Sequence, residues 1–205
     1  MADLIEAEPT TDGRAIRRQR NIDAVLDVVV EMFAEESLFP TMEQAAKRSG
    51  LSLRSLYRYF ADPAELLEAV IVRNRVRLND LAHLDAIGEG PLTHRIDDFV
   101  AMRVRLFDAV GPMFRATVAN AARHDRVRVE LVGRRNEMRE QFGRQFAPEL
   151  GARNDRAEVL DAGDLLTQLD SINYLRNHRN LSSEATRTTL TSALTALLGT
   201  SHVSS

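Results

Sequence analysis

Apolar residues recur along this chain at intervals of three and four and nowhere alternate with period two for long, so the whole of it reads as helical. A first helix is expected over about 15–37, with Ile22, Val25, Leu26, Val29, Met32 and Phe33 as its apolar stripe. Pro40 closes the connector, and Thr41 stands where a short helix over about 42–48 needs an N-cap. Ser49 and Gly50 stop that helix, because glycine supplies the left-handed backbone favoured just past a helix end. Leu51 then turns inward and Ser52 caps a second short helix, about 53–60. Asp62 and Pro63 restart the chain as an N-cap and first helical residue, with Glu65 at the positive end of the dipole. This fourth helix is expected to continue to about residue 85. "GEGP" at 88–91 is the strongest break. Helices follow at about 92–109, 112–122, 125–147, 156–178 and 183–198, separated by Gly111-Pro112 and by the stretches 148–154 and 180–183.

The pattern predicts an all-α protein of about nine helices in two parts. Residues 1–14, acidic and poor in large apolar groups, read as a disordered arm. Residues 15–62 form a first, three-helix domain, 63–87 a connecting helix, and 88–200 a larger helical domain, with a loose tail. No period of 20–50 residues repeats, which argues against a solenoid. With 205 residues, 44% hydrophobic and 28% charged, the chain carries enough apolar material for a sizeable core. Its longest apolar run, "VLDVVVEMF", is interrupted by Asp27 and Glu31, so no membrane span is expected. The acidic start lacks the basic and apolar regions of a signal peptide. The absence of cysteine excludes disulfides, thiolate metal sites and cysteine nucleophiles, and fits a reducing cytoplasm.

Charge changes the picture through its distribution. The net charge of −3 argues against a whole-surface nucleic-acid binder. Yet "RAIRRQR" (14–20) holds four arginines and no acid, and residues 41–60 carry Lys47, Arg48, Arg54 and Arg58 against Glu43 alone. Two short helices joined by "RSGLS" have helix-turn-helix spacing. In "GLSLRSLYRYF" (50–60), Leu53, Leu56 and Phe60 fall on one face for the core. Arg54, Ser55 and Arg58 point elsewhere, and Tyr57 and Tyr59 flank them. Arginines pair with guanine edges or phosphates, hydroxyls bind phosphate, and tyrosine rings contact thymine methyls or sugars. A solvated amphipathic helix is the bland alternative.

Residues 41–71, preceded by "RRQRNIDAVLDVVVEMFAEESL", resemble the DNA-binding domain of the TetR family of bacterial transcriptional regulators. Phe33, Thr41, Ala45 and Ala46, Gly50-Leu51-Ser52, the Leu56-Tyr57/Arg58/Tyr59-Phe60 core and Glu65-Leu66-Leu67 carry the likeness. The resemblance implies a homodimer that binds double-stranded operator DNA through the first domain. It implies that Thr41 and Tyr57 contact phosphate, that Arg54 and Ser55 face bases, and that Tyr59 makes a further DNA contact. Arg17, Lys47, Ser52 and Arg58 complete the expected set. Pro63 stands where the family often has a phosphate-binding lysine, leaving Arg58, Lys47 or the arginine arm to compensate.

Residues 169–198 are similar to the last two helices of many family members, which form a dimer interface. That likeness assigns Leu165, Leu169, Ile172, Leu190, Leu194 and Leu197 to the interface; the alternative is ordinary protomer core. Phe99, Met102, Phe107, Met113, Phe114, Met138, Phe142 and Asn173 could line a cavity for an apolar small-molecule effector, since methionine adapts to irregular shapes. They also fit plain bundle core. No nucleophile elbow, P-loop, Rossmann glycine pattern or His-Glu-x-x-His occurs, and no two histidines stand four apart, so no enzyme, metal or cofactor is expected. A helical enzyme, or a partner-binding bundle without DNA activity, remains the rival reading.

Overall fold

The first helix begins before its apolar stripe. In the computed structural model, which describes residues 10–36 and 40–199, α1 runs Thr10–Glu36. The expected disordered arm is thus helical from Thr10 onward; the rest of it lies outside the described residues, as do the side chain of Phe33 and the tail from residue 200. Val25, Leu26, Val29 and Met32 are buried, the face the spacing predicts. Next come α2 (Met42–Ser49), α3 (Leu53–Tyr59) and α4 (Pro63–Leu81). Among the described residues every regular element is helical.

The described chain forms two compact units, dividing between Arg73 and Asn74. The division falls within α4, upstream of the Gly88 break on which the expected boundary rests. In the first unit Val25, Val29, Leu56, Leu66, Leu67 and Val70 are essentially fully buried. At roughly 1.5–3 kcal/mol for each such side chain, this core dominates the unit's stability. Ion pairs then fix how the helices meet. The Arg73 guanidinium bonds Asp23 at 2.7 Å and Asp27 at 3.2 Å, joining α4 to α1, and Arg48 pairs with both carboxylate oxygens of Glu35, joining α2 to α1. Being exposed, these pairs each contribute only about 0–1 kcal/mol.

The second unit is built on α5 (Leu92–Ala121), which packs against α6 (Asp125–Gln145) and α10 (Ser183–Gly199). The expected break at Gly111-Pro112 is absent: Pro112 lies inside α5. Interior proline costs about 3 kcal/mol. Burial of Phe107, Val110, Met113 and Phe114 around it offsets that cost several times over. By contrast, the helix expected over 156–178 is divided. α8 (Arg156–Thr167) ends where Gln168 turns extended, at φ −66° and ψ 151°, before α9 (Leu169–Asn173) and a π-helical turn, Tyr174–His178. Side chains replace the lost backbone bonds. Gln168 Nε2 donates to Arg135 O at 3.1 Å and Asp164 Oδ1 at 2.6 Å, and the Ser171 hydroxyl donates to the freed Leu165 carbonyl. Between them, α7 (Ala147–Gly151) follows α6 directly. The Gly88–Pro91 loop belongs to this unit, with Gly88 N donating to Gln145 Oε1 at 3.2 Å.

The core of this unit is aromatic. Phe99, Phe142 and Phe146 meet at centroid distances of 5.7, 5.3 and 4.8 Å, and all three are fully buried. Gly163 on α8 lies against the Phe142 ring. Arg95 is buried beside them with its guanidinium satisfied: it grips Glu149 through two nitrogens, and donates to Gln145 O at 2.8 Å and Gly90 O at 3.1 Å.

Candidate DNA-binding surface

Four local devices set the path from α2 to α4. Thr41 Oγ1 accepts from Gln44 N at 3.2 Å, while Gln44 Oε1 accepts from Thr41 N at 2.7 Å, a reciprocal capping box. Gly50 at φ 70° lets its own N–H and that of Leu51 close on the last carbonyls of α2. A Cβ-bearing residue is strained in that left-handed geometry. Ser52 Oγ then accepts from Ser55 N at 3.1 Å and starts α3. The fourth device opens α4: Asp62 Oδ1 accepts from Glu65 N at 2.8 Å and Glu65 Oε2 from Ala61 N at 2.5 Å, with Pro63 at the first helical position. The proline therefore stiffens the start of α4 and presents no cation there. Ala45 and Ala46 are buried and small, so α2 packs closely on its neighbours.

The buried edge of α3 differs from the expected one. Leu56, Tyr59 and Phe60 are buried, whereas Leu53 is 36% exposed. Helix α3 ends at Tyr59 and Phe60 is extended, which turns Phe60 back onto the core and draws Tyr59 in beside Leu56. Tyr59 is therefore the expected DNA contact that the structure places in the core. Its phenol oxygen accepts from Asn21 Nδ2 at 3.1 Å and from Arg58 Nη2 at 3.4 Å. These donors, Asn21 first, hold the phenol below its ordinary pKa. A buried phenol needs such partners.

The rest of the expected set faces outward. Arg17, Thr41, Lys47, Ser52, Arg54 and Arg58 are exposed, Tyr57 is 46% exposed, and Ser55 is half-buried, its hydroxyl accepting from Ser52 Oγ at 2.9 Å. Arg54, Tyr57 and Arg58 share the solvent side of a helix whose other side is core. Sequence reasoning missed Arg18, whose guanidinium lies 5.6 Å from the Tyr59 ring centroid, with Arg58 at 5.4 Å. Arg18 and Asn21, three apart on α1, thus both reach Tyr59 and tie the arginine-rich turn of α1 to α3. That i, i+3 spacing was the available signal. Arg48, by contrast, is engaged by Glu35.

In the second unit, Phe99, Met102, Phe107, Met113, Phe114 and Phe142 are buried and Met138 and Asn173 half-buried. Phe146 joins this cluster unforeseen. Of the expected interface leucines, Ile172, Leu190 and Leu194 are buried within the protomer, Leu169 and Leu197 are half-buried, and Leu165 is 67% exposed. An open groove of about 370 Å³, with Leu166, Tyr174, Leu175, Leu190 and Ala193 on its walls, runs along the same elements. No helix among the described residues is long and apolar enough to cross a membrane.

The described residues thus form an all-helical chain with a capped helix-turn-helix at residues 42–59. The chain is 32% identical over 94 residues to the HTH-type transcriptional regulator BetI of Klebsiella pneumoniae (strain 342), covering 45% of this chain and 47% of that protein. It is 31% identical, over the same extent, to the HTH-type transcriptional regulator BetI of Escherichia coli (strain K12 / DH10B). The match spans about half the length of these curated relatives. No family model matches. Helix-turn-helix geometry and the partial match to these regulators agree with the resemblance to the TetR family carried by residues 41–71. Its relatives are named as regulators, not enzymes.

Proposed function

We propose that the protein is a sequence-specific, DNA-binding transcriptional regulator, a homodimeric repressor that reads a pseudo-palindromic operator and responds to a small molecule. One observation carries the DNA reading: α3 turns Leu56, Tyr59 and Phe60 into the core and leaves Arg54, Tyr57 and Arg58 outward. Arginine reads guanine edges in the major groove, and a tyrosine hydroxyl positions phosphate. Selection of bound sequences from random duplex DNA tests this; recovery of no enriched motif, with binding no tighter to any duplex than to bulk DNA, would refute it. Lys47 and Arg17 supply phosphate contacts in this reading. Lys47→Ala should therefore weaken all sequences alike and lower the slope of log affinity against log salt by about one, measured by fluorescence anisotropy.

Self-association through α8, α9 and α10 is supported by the exposure of Leu165 (67%) and Tyr174 (54%) beside the apolar groove. Charge belongs at these exposed positions in a test, because Leu194 is fully buried and its replacement would unfold the protomer. The doubly substituted Leu165→Glu, Tyr174→Glu protein should self-associate about tenfold more weakly or worse in sedimentation, since a buried unpaired charge is costly. A wild-type monomer at micromolar concentration would remove the dimer, and with it the two-fold operator. The effector reading rests on the methionine and phenylalanine cluster of the second unit. α4, which contributes residues to both units, is its natural transmitter. An effector acts only if it binds the DNA-competent and incompetent states differently, and a coupling of about 1–3 kcal/mol suffices.

A further inference from the structure

The second unit buries two arginines, and they are treated oppositely. Arg95 has a carboxylate and two carbonyls around its guanidinium. Arg103, on α5, is 1% exposed, and its one hydrogen bond runs from Nη2 to Met138 O at 2.8 Å. Its Nε and Nη1 are buried without a partner. The Phe99 ring lies 4.6 Å from the guanidinium carbon. Asp164 attracts Arg103 through space, yet its own carboxylate is taken by Gln168 at 2.6 Å and faces Arg139 at 3.7 Å. Burial consequently pushes the Arg103 pKa down to about 9.

A guanidinium held in an apolar core needs charge or acceptors for its donors, and packing alone does not supply them. Nε–H and Nη1–H lie on opposite edges of the guanidinium, and each is a charged donor that suits a carboxylate oxygen. Phe99 stands against the guanidinium and is itself packed on Phe142, and Met138, half-buried and unbranched, is the side chain best able to move aside. We propose that Arg103 is the anion-binding residue of the second unit and takes the carboxylate of a small monocarboxylic acid, whose apolar body packs among Phe99, Met138 and Phe142. The proposal rests on the reading that this unit takes a small-molecule effector, and it specifies that effector as an acid.

The test is titration calorimetry on the full chain with benzoate and octanoate, matched against benzyl alcohol and octanol. The acids should bind at least about tenfold more tightly than the alcohols. Arg103→Met should abolish that preference while leaving the alcohols unchanged; its apolar side chain of similar volume relieves the buried charge, so the fold should survive. Independently of any variant, the Arg103 Nε–H resonance of the wild-type protein should move on addition of benzoate. Alcohols binding as well as acids, an acid preference retained by Arg103→Met, or an unmoved Nε–H signal at saturating benzoate would each overturn the anion site while leaving an effector pocket standing. If neither acids nor alcohols bind, the effector reading itself falls, and this inference with it.

Discussion

Gly163→Ala should destabilise the second unit by about 2 kcal/mol, whereas Gly133→Ala should stabilise it by about 1 kcal/mol. Both glycines sit inside helices, where alanine is favoured by about 1 kcal/mol on propensity alone. At Gly133 a new methyl group meets nothing within 4 Å, so propensity decides. At Gly163 a Cβ would overlap the Phe142 ring. That ring cannot retreat, because it is fully buried against Phe99 and Phe146 at 5.7 and 4.8 Å. Forced overpacking costs about 3 kcal/mol, at the upper end of the usual range, and outweighs the helical gain. Urea denaturation followed by circular dichroism should show the two midpoints moving in opposite directions. Trimming the ring with Phe142→Leu should recover part of the Gly163→Ala loss, a coupling of about 1 kcal/mol or more in a double-mutant cycle. Equal midpoints for the two alanine variants would mean that the α6–α8 contact is looser than described.

Arg54→Ala should weaken binding to the preferred operator by about 1–3 kcal/mol, and erase preference at one base position. Arg54 lies on the exposed side of α3, next to the cap formed by Ser52 and Ser55, and no core residue depends on it. Its loss therefore removes a contact without unfolding the helix. Tyr57→Phe is the control, since deleting one hydroxyl should weaken every sequence similarly. Anisotropy titrations against the selected site and its single-base variants separate the two behaviours. Unchanged affinity and unchanged base preference for Arg54→Ala would take that residue off the reading face.

Local signals in the sequence were reliable where the structure is itself local. Thr41, Gly50, Ser52 and Asp62-Pro63 each act within four residues, and each does what its residue type favours. Pro112 misled because its local cost is overridden by the apolar residues around it, whose burial depends on α6 and α10. Gln168 carried no breaking signal at all: an extended residue is held there by Arg135, 33 residues away, through its side chain. Tyr59 was read as a surface flank because the donor that makes its burial tolerable, Asn21, is 38 residues distant. The outward face of α3 was thus legible, while its inner edge depended on α1. In the second unit the cluster of phenylalanines and methionines was visible in the sequence, but the unpaired Arg103 in its midst was not, since arginines are abundant throughout the chain.

Lys47 is the chain's only lysine, and it sits exposed near the end of α2. With every other basic side chain an arginine or histidine, the protein offers acylating reagents one side-chain amine, with the less basic α-amino group as the only competitor. A duplex laid across α2 and α3 would cover that amine. The rate at which Lys47 is acylated then becomes a direct gauge of operator occupancy, readable by mass spectrometry without labelling protein or DNA. Enzymatic acetylation at the same nitrogen would remove one positive charge from the surface proposed to meet the phosphates.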